Sequence, residues 1–204
     1  MEGTPVLAEI RPGRGPQLSR GQLLGLLAAA LVPAGARAEP APAAAARPLL
    51  AGFFHMGYLT ADMDAAQALF RVKFGIAKFQ TLGTGAATPE RPYPVRFALA
   101  WVGATMVELI QPIGAPSPVY APGMPEPGAV SRLHHLGYRM TRAAEWAATL
   151  QALADQQIPI VQKGAAGDNL EFLYADARKE LGHHLEFVWT KEGRPDFYAG
   201  VPQN

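Results

Sequence analysis

The feature that most constrains this chain is that it repeats itself. His55-Met56-Gly57-Tyr58 recurs as His135-Leu136-Gly137-Tyr138, 80 residues later. Met106-Val107-Glu108-Leu109-Ile110 has a counterpart in His184-Leu185-Glu186-Phe187-Val188, 78 residues later. Within each copy the His-to-Glu spacing is nearly constant, 53 residues in the first and 51 in the second. Two independent pairs at matching offsets mark a duplication, and a duplicated unit buries its apolar face against its twin.

Each copy reads as β-α-β-β-β. In the first, residues 53–59 are expected to form a strand. Asp62 opens a helix whose apolar positions are Ala65, Leu69, Phe70 and Val72, and Gly75 ends it. Strands follow near 77–82, 95–102 and 105–111. In the second copy, 134–140 reads as a strand and Thr141 as the N-cap of a helix carrying Trp146, Leu150 and Leu153. Strands follow near 159–162, 169–174 and 183–190. Residues 164–167, Gly-Ala-Ala-Gly, read as a hairpin or loop, with neither the lysine nor the helix of a phosphate-binding loop. A Pro/Gly-rich connector, about 112–130, is long enough to cross between modules or cover a cavity.

Strand alternation puts His55 and Gly57 on one face, and Glu108 with Met106 and Ile110 on another. The second copy repeats this with His135/Gly137 and Glu186/Val188. The opposite face, with Val107, Leu109, Leu185, Phe187 and Trp189, suits packing against helices. A carboxylate between Met106 and Ile110 is costly to desolvate unless a cation pairs with it. A divalent metal held by imidazole and carboxylate is one solution. Plain core histidines, and carboxylates paired with Arg96 or Arg139, are the other.

Composition narrows the chemistry. The 204 residues, 49% hydrophobic and 17% charged, suit one soluble globular domain. Net charge is +1 with scattered Lys and Arg, so nucleic acid is not expected as a partner. The absence of cysteine removes disulfides, thiolate metal sites and thiol nucleophiles together. The N-terminal region differs from the rest: Arg11, Arg14 and Arg20 precede an apolar run from Leu23 to Val32, then Ala36-Arg37-Ala38. This order describes a cleaved export signal over 1–38, and a periplasmic location with no membrane attachment after cleavage. The run is only about ten residues, whereas a membrane span needs roughly 20. Ser19-Arg20-Gly21-Gln22-Leu23-Leu24 resembles a twin-arginine signal with Gly21 in the second arginine's place. An Ala/Pro-rich linker is expected over 39–47, the paired modules over 48–190 (about 50–112 and 131–190), and a tail over 191–204.

Paired β-α-β-β-β modules, with His opening the first strand and Glu in the last, resemble the vicinal oxygen chelate superfamily. That group includes glyoxalase I, methylmalonyl-CoA epimerase, extradiol dioxygenases and bleomycin-resistance proteins. The stretches that carry the resemblance are F-H-M-G-Y-L-T-A-D-M-D-A-A, M-V-E-L-I-Q-P, R-L-H-H-L-G-Y and L-G-H-H-L-E-F-V. It implies an α+β fold in which tandem modules form a barrel-like cleft. It also implies a metal held by His55, Glu108, His135 and Glu186. A carboxylate at Glu108 resembles the glyoxalase I type, with nickel, cobalt or zinc, or else iron or manganese. On that resemblance the metal polarises two adjacent substrate oxygens, Glu186 acts as base and Glu108 is its partner in the opposite half. The implied activity is that of a lyase or isomerase on a small oxygen-rich substrate. The alternatives are a metal-free sequestering protein of the same fold and an iron(II) extradiol-type dioxygenase. The resemblance allows a cleft within one chain or across a swapped homodimer.

Three further histidines and one arginine need placing. His134 and His183 are out of phase with the ligand positions and read as structural. His184 shares the face of Glu186 and Arg139 that of His135, so both are candidate substrate contacts. The tail, with Phe197 and Tyr198, reads as a surface cap, with folding over the barrel or cleft as the alternative.

Overall fold

The protein is described by a computed structural model covering residues 47–89 and 92–204. The expected export signal lies outside the described residues, as does the linker up to residue 46. Arg47 is described and reaches the Arg139 carbonyl at 3.3 Å.

Each half contributes four strands: β1 (Phe53–Leu59), β2 (Gln80–Gly83), β3 (Val95–Val102) and β4 (Thr105–Pro112), then β5 (Arg132–Met140), β6 (Ile160–Ala166), β7 (Leu170–Ala175) and β8 (His184–Thr190). Helices α1 (Met63–Phe74) and α2 (Ala143–Asp155) follow β1 and β5, and a short helix α3 (Arg178–Leu181) precedes β8. The β-α-β-β-β order of both copies is therefore as the sequence suggests, with α3 added. All eight strands form one sheet, in the order β2-β3-β4-β1-β5-β8-β7-β6. The halves join where β1 runs antiparallel to β5, and within each half the first strand runs parallel to the last. The cleft is thus built within a single chain. The sheet curls, because β2 and β3 at one end line the same cavity as β6 and β7 at the other.

The convex face is covered by the helices. Met63, Ala66 and Phe70 of α1 pack on Ala98, Ala100, Val107 and Leu109. Trp146 and Leu153 of α2 pack on Tyr138, Leu173, Leu185 and Phe187. The expected stripe on α1 is shifted: Ala65 is exposed and Val72 is 77% exposed, while Met63 and Ala66 are buried. Asp62 caps the helix, its carboxylate accepting from the Asp64 and Ala65 amides at 3.0 Å, and contact with the sheet selects Met63 and Ala66 as inward residues. Gly75 closes it in the left-handed conformation, φ 74°. On α2 the cap is Arg142 rather than Thr141. The Glu145 carboxylate reaches back to the Thr141 and Arg142 amides and to the Arg142 guanidinium. Residues 164–167, expected as a hairpin or loop, are a hairpin: 164–166 complete β6, the chain turns at Gly167, and β7 returns antiparallel. No helix among the described residues is long and apolar enough to cross a membrane.

Candidate metal centre

Two adjacent rows across the four central strands build the site. One row runs Glu108 (β4), Gly57 (β1), His135 (β5), and the other runs His55 (β1), Gly137 (β5), Glu186 (β8). Each imidazole therefore stands beside a glycine of the other half. A Cβ at Gly57 would lie 1.9 Å from Cε1 of His135, and one at Gly137 would lie 2.1 Å from Cε1 of His55. Neither glycine has positive φ, so it is space for the opposite ring that requires them. The repeated His-x-Gly is a reciprocal socket.

One ligand atom from each of His55, Glu108, His135 and Glu186 lies within 4.8 Å of all the others. His55 Nε2 is 2.8 Å from His135 Nε2 and 2.8 Å from Glu186 Oε2. His135 Nε2 is 3.2 Å from Glu108 Oε2 and 3.3 Å from Glu186 Oε2, and His55 to Glu108 is 3.5 Å. Protons alone satisfy this arrangement poorly. Two ring nitrogens face each other, and Glu108 Oε2 is buried without a hydrogen-bond partner among the described residues. A cation bound at about 2.0–2.2 Å holds right-angled ligands roughly 3 Å apart, close to the spacing found. The donor set fits a divalent metal. Neither expected arginine competes for the carboxylates: Arg96 bonds Gln111, and Arg139 pairs with Asp196 at 2.7 Å.

Burial works against charge on His135, but the Glu186 and Glu108 carboxylates outweigh it and hold its pKa up to about 9. Burial likewise opposes ionisation of Glu186, yet His135 and His55 hold its carboxyl well below the ordinary range. Burial, and next the nearby His135 and His184, pushes His134 down to about 3, so it is neutral. Burial, and next Arg178, pushes His184 down to about 4.

His134 is placed where strand alternation would not put it. A register shift opposite Gly57 and Tyr58 leaves His134 as an extra residue, a β-bulge, and both His134 and His135 turn inward. His134 Nε2 is 3.1 Å from the Val119 carbonyl, which only accepts, so that nitrogen carries the proton. Its Nδ1 is then a lone pair, and it receives a hydrogen bond from His135 Nδ1 at 3.0 Å. Once His135 gives up its second proton, this chain of bonds keeps the remaining one on Nδ1 and leaves Nε2 as the lone-pair nitrogen facing the cluster, the form a metal needs. His55 has no such support; its Nδ1 is buried without a partner among the described residues.

A cavity of about 300 Å³ opens above the cluster, bordered by Glu108 and Glu186 but by neither ligand imidazole. Its walls come from both halves, from Ser117, Pro118 and Tyr120 of the connector, and from Phe197 and Tyr198 of the tail. The tail is thus a wall of the cleft rather than a surface cap. Asn204 pins it, bonding the Lys78 backbone and the Trp101 carbonyl. Burial and then the two cluster carboxylates raise the Tyr174 and Tyr198 phenols well above their usual range, so both stay protonated. The two expected substrate contacts lie elsewhere. The His184 ring packs on His134 with centroids 4.5 Å apart and does not border the cavity. Arg139 is held by Asp196 and Thr190 on a separate surface depression. His183 bonds the His184 carbonyl.

A family model described as the glyoxalase/bleomycin resistance protein/dioxygenase superfamily matches residues 54–174. No curated protein matches the chain. Among solved structures, methylmalonyl-CoA epimerase of Streptomyces coelicolor in complex with 2-nitronate-propionyl-CoA is 17% identical. The match covers 69% of this chain and 98% of that one, at TM-score 0.47. Methylmalonyl-CoA epimerase of Mycobacterium tuberculosis is 16% identical, with 70% and 89% covered and TM-score 0.48. A hypothetical protein of Bacillus halodurans C-125 is 17% identical, with 71% and 97% covered and TM-score 0.46.

Proposed function

Because the chain belongs to the glyoxalase/bleomycin resistance protein/dioxygenase superfamily, we propose that it is a metal-dependent lyase or isomerase of the glyoxalase-like type. The observation that supports this reading is the convergence of two imidazoles and two carboxylates, one of each per half, at the floor of an open cavity. A nickel, cobalt or zinc ion there, or iron or manganese, would supply Lewis-acid polarisation of two adjacent oxygens on a small substrate. His55 and His135 anchor from behind, out of contact with the cavity. Glu108 and Glu186 reach it from opposite halves, as an acid–base pair placed to serve the two faces of one carbon. By resemblance to glyoxalase I, Glu186 is the group that would take a proton from the carbon beside those oxygens and return it. Proton transfer by a positioned base contributes roughly 10²–10⁴-fold. The basic, apolar and Ala-x-Ala order of residues 1–38 supports a periplasmic location.

The test is metal analysis together with Glu186→Gln. The wild type is expected to hold about one divalent ion per chain, and the variant to keep most of it while losing turnover by at least roughly 10²-fold. A variant with near-full activity on an identified substrate refutes the role of Glu186. Protein that takes up no nickel, cobalt, zinc, manganese or iron refutes the enzyme and favours the sequestering role.

A further inference from the structure

The walls of the cavity say more about what enters than its floor does. Phe97, Leu99, Leu170, Phe172, Phe197 and Tyr198 surround the space above the two carboxylates. Among the described residues, the charged ones that border it are Glu108 and Glu186 at the floor and Lys163, exposed on β6. A divalent ion between two carboxylates would already be neutralised, so an anionic group in the enclosed part would find no buried cation among the described residues. Arg139, expected as a substrate contact, is turned to Asp196 outside the cavity. The volume, about 300 Å³, lies at the small end of ligand pockets. Gln162 and several tyrosine hydroxyls also reach the wall, but one buried polar atom there is left over. Ser117 borders the cavity, is only 4% exposed, and its hydroxyl is buried with no partner among the described residues. A buried hydroxyl left unpaired is costly, and a ligand oxygen or N–H would satisfy it.

We infer that the substrate carries its two adjacent oxygens at one end of a compact apolar body, aromatic or alicyclic, with one uncharged polar substituent within reach of Ser117. This rests on the metal-dependent reading above for the oxygen pair, but the apolar body follows from the walls alone. A ring fills the space between Phe97 on one half of the sheet and Phe172 on the other. The tail completes the enclosure through Phe197 and Tyr198. A long polar conjugate would have to leave most of its length outside.

Two probes with the same chelating head separate the claims: acetohydroxamic acid and benzohydroxamic acid, which differ by the phenyl ring. Both are titrated by calorimetry into cobalt(II)-loaded protein and into chelator-treated protein, with the cobalt absorption spectrum recorded alongside. Enclosing the ring is expected to tighten binding roughly 100-fold over the methyl compound. Phe172→Ala is expected to remove at least roughly tenfold of that ratio; thermal unfolding confirms that the variant is folded, and Phe97→Ala gives an independent wall. If the two probes bind cobalt protein within about threefold of each other, the apolar-body inference is overturned while the metal-dependent reading stands. A preference for the phenyl compound that is equally strong without metal, and leaves the cobalt spectrum unchanged, supports the apolar body and overturns the metal-dependent reading. Failure of both probes to bind either form overturns both.

Discussion

Replacing Gly137 by alanine isolates the reciprocal socket. The new Cβ would lie 2.1 Å from Cε1 and 2.4 Å from both nitrogens of the His55 ring. Ordinary contact begins near 3.4 Å, so the ring must retreat by about 1.3 Å. Metal–nitrogen bonds tolerate only about 0.2 Å, and His55 would cease to be a ligand. Disturbing a group that merely orients a ligand costs 10–100-fold in metal affinity, so loss of the ligand itself is expected to cost at least roughly 100-fold. The fold should survive, since Gly137 does not have positive φ; overpacking costs about 1–3 kcal/mol. The assay is competition against a chromophoric chelator, with thermal unfolding in excess chelator to separate stability from affinity. Gly57→Ala should behave alike through His135. Gly83→Ala is the control, because its Cβ meets only the Val95 carbonyl at 3.8 Å. Metal binding by Gly137→Ala within about threefold of wild type would refute the argument that these glycines exist to admit the opposite imidazole.

Three other outcomes are expected. His134→Phe keeps the ring packed among Tyr120, Tyr174 and His184 but removes the acceptor for His135 Nδ1, and should weaken metal binding by about 10–100-fold; an unchanged dissociation constant would show that the bond does not orient His135. Asp62→Ala should cost about 1 kcal/mol of stability by calorimetry, with metal affinity unaltered, since the cap lies on the far side of the sheet. Metal-free protein should be most heat-stable at about pH 6.5, losing stability steadily from there to pH 9. His135, raised to about 9, contributes stability below its unfolded pKa that is lost as pH rises through 9, whereas neutral His134 and His184, lowered to about 3 and 4, destabilise the fold as pH falls below 6.5; a melting temperature still rising from pH 8 to 10 contradicts this.

Both halves of the architecture were legible because the duplication left two separate marks, His-x-Gly-Tyr and the Glu strand, at nearly equal offsets. Strand alternation then sufficed to send His55, Glu108, His135 and Glu186 to one face, and the sheet order brings all four to one point. Alternation failed at His134, where the bulge adds a residue that no local composition announces. It also misjudged His184 and Arg139: sharing a face with a ligand does not place a side chain over the cavity once the sheet curls. On α1 the start at Asp62 and the stop at Gly75 were legible, but the apolar stripe was not, because small and apolar residues lie on several sides of the helix and contact with the sheet selects Met63 and Ala66 while leaving Val72 in water. The tail was opaque because Phe197 and Tyr198 become walls only through the Asn204 anchor and the Trp101 edge of the sheet, contacts across more than ninety residues.

The antiparallel pairing of β1 with β5 has a consequence for how an ion comes and goes. The backbone ladder welds the halves without any ion, so on the proposed function withdrawing a metal would leave the receptacle standing with its walls in place. Uptake then requires no refolding, and exchange of one metal for another is governed by release of the bound ion and the proton on His135. A chelator should therefore yield a silent protein that revives within the mixing time of added metal, unlike domains whose halves are held together only by their zinc.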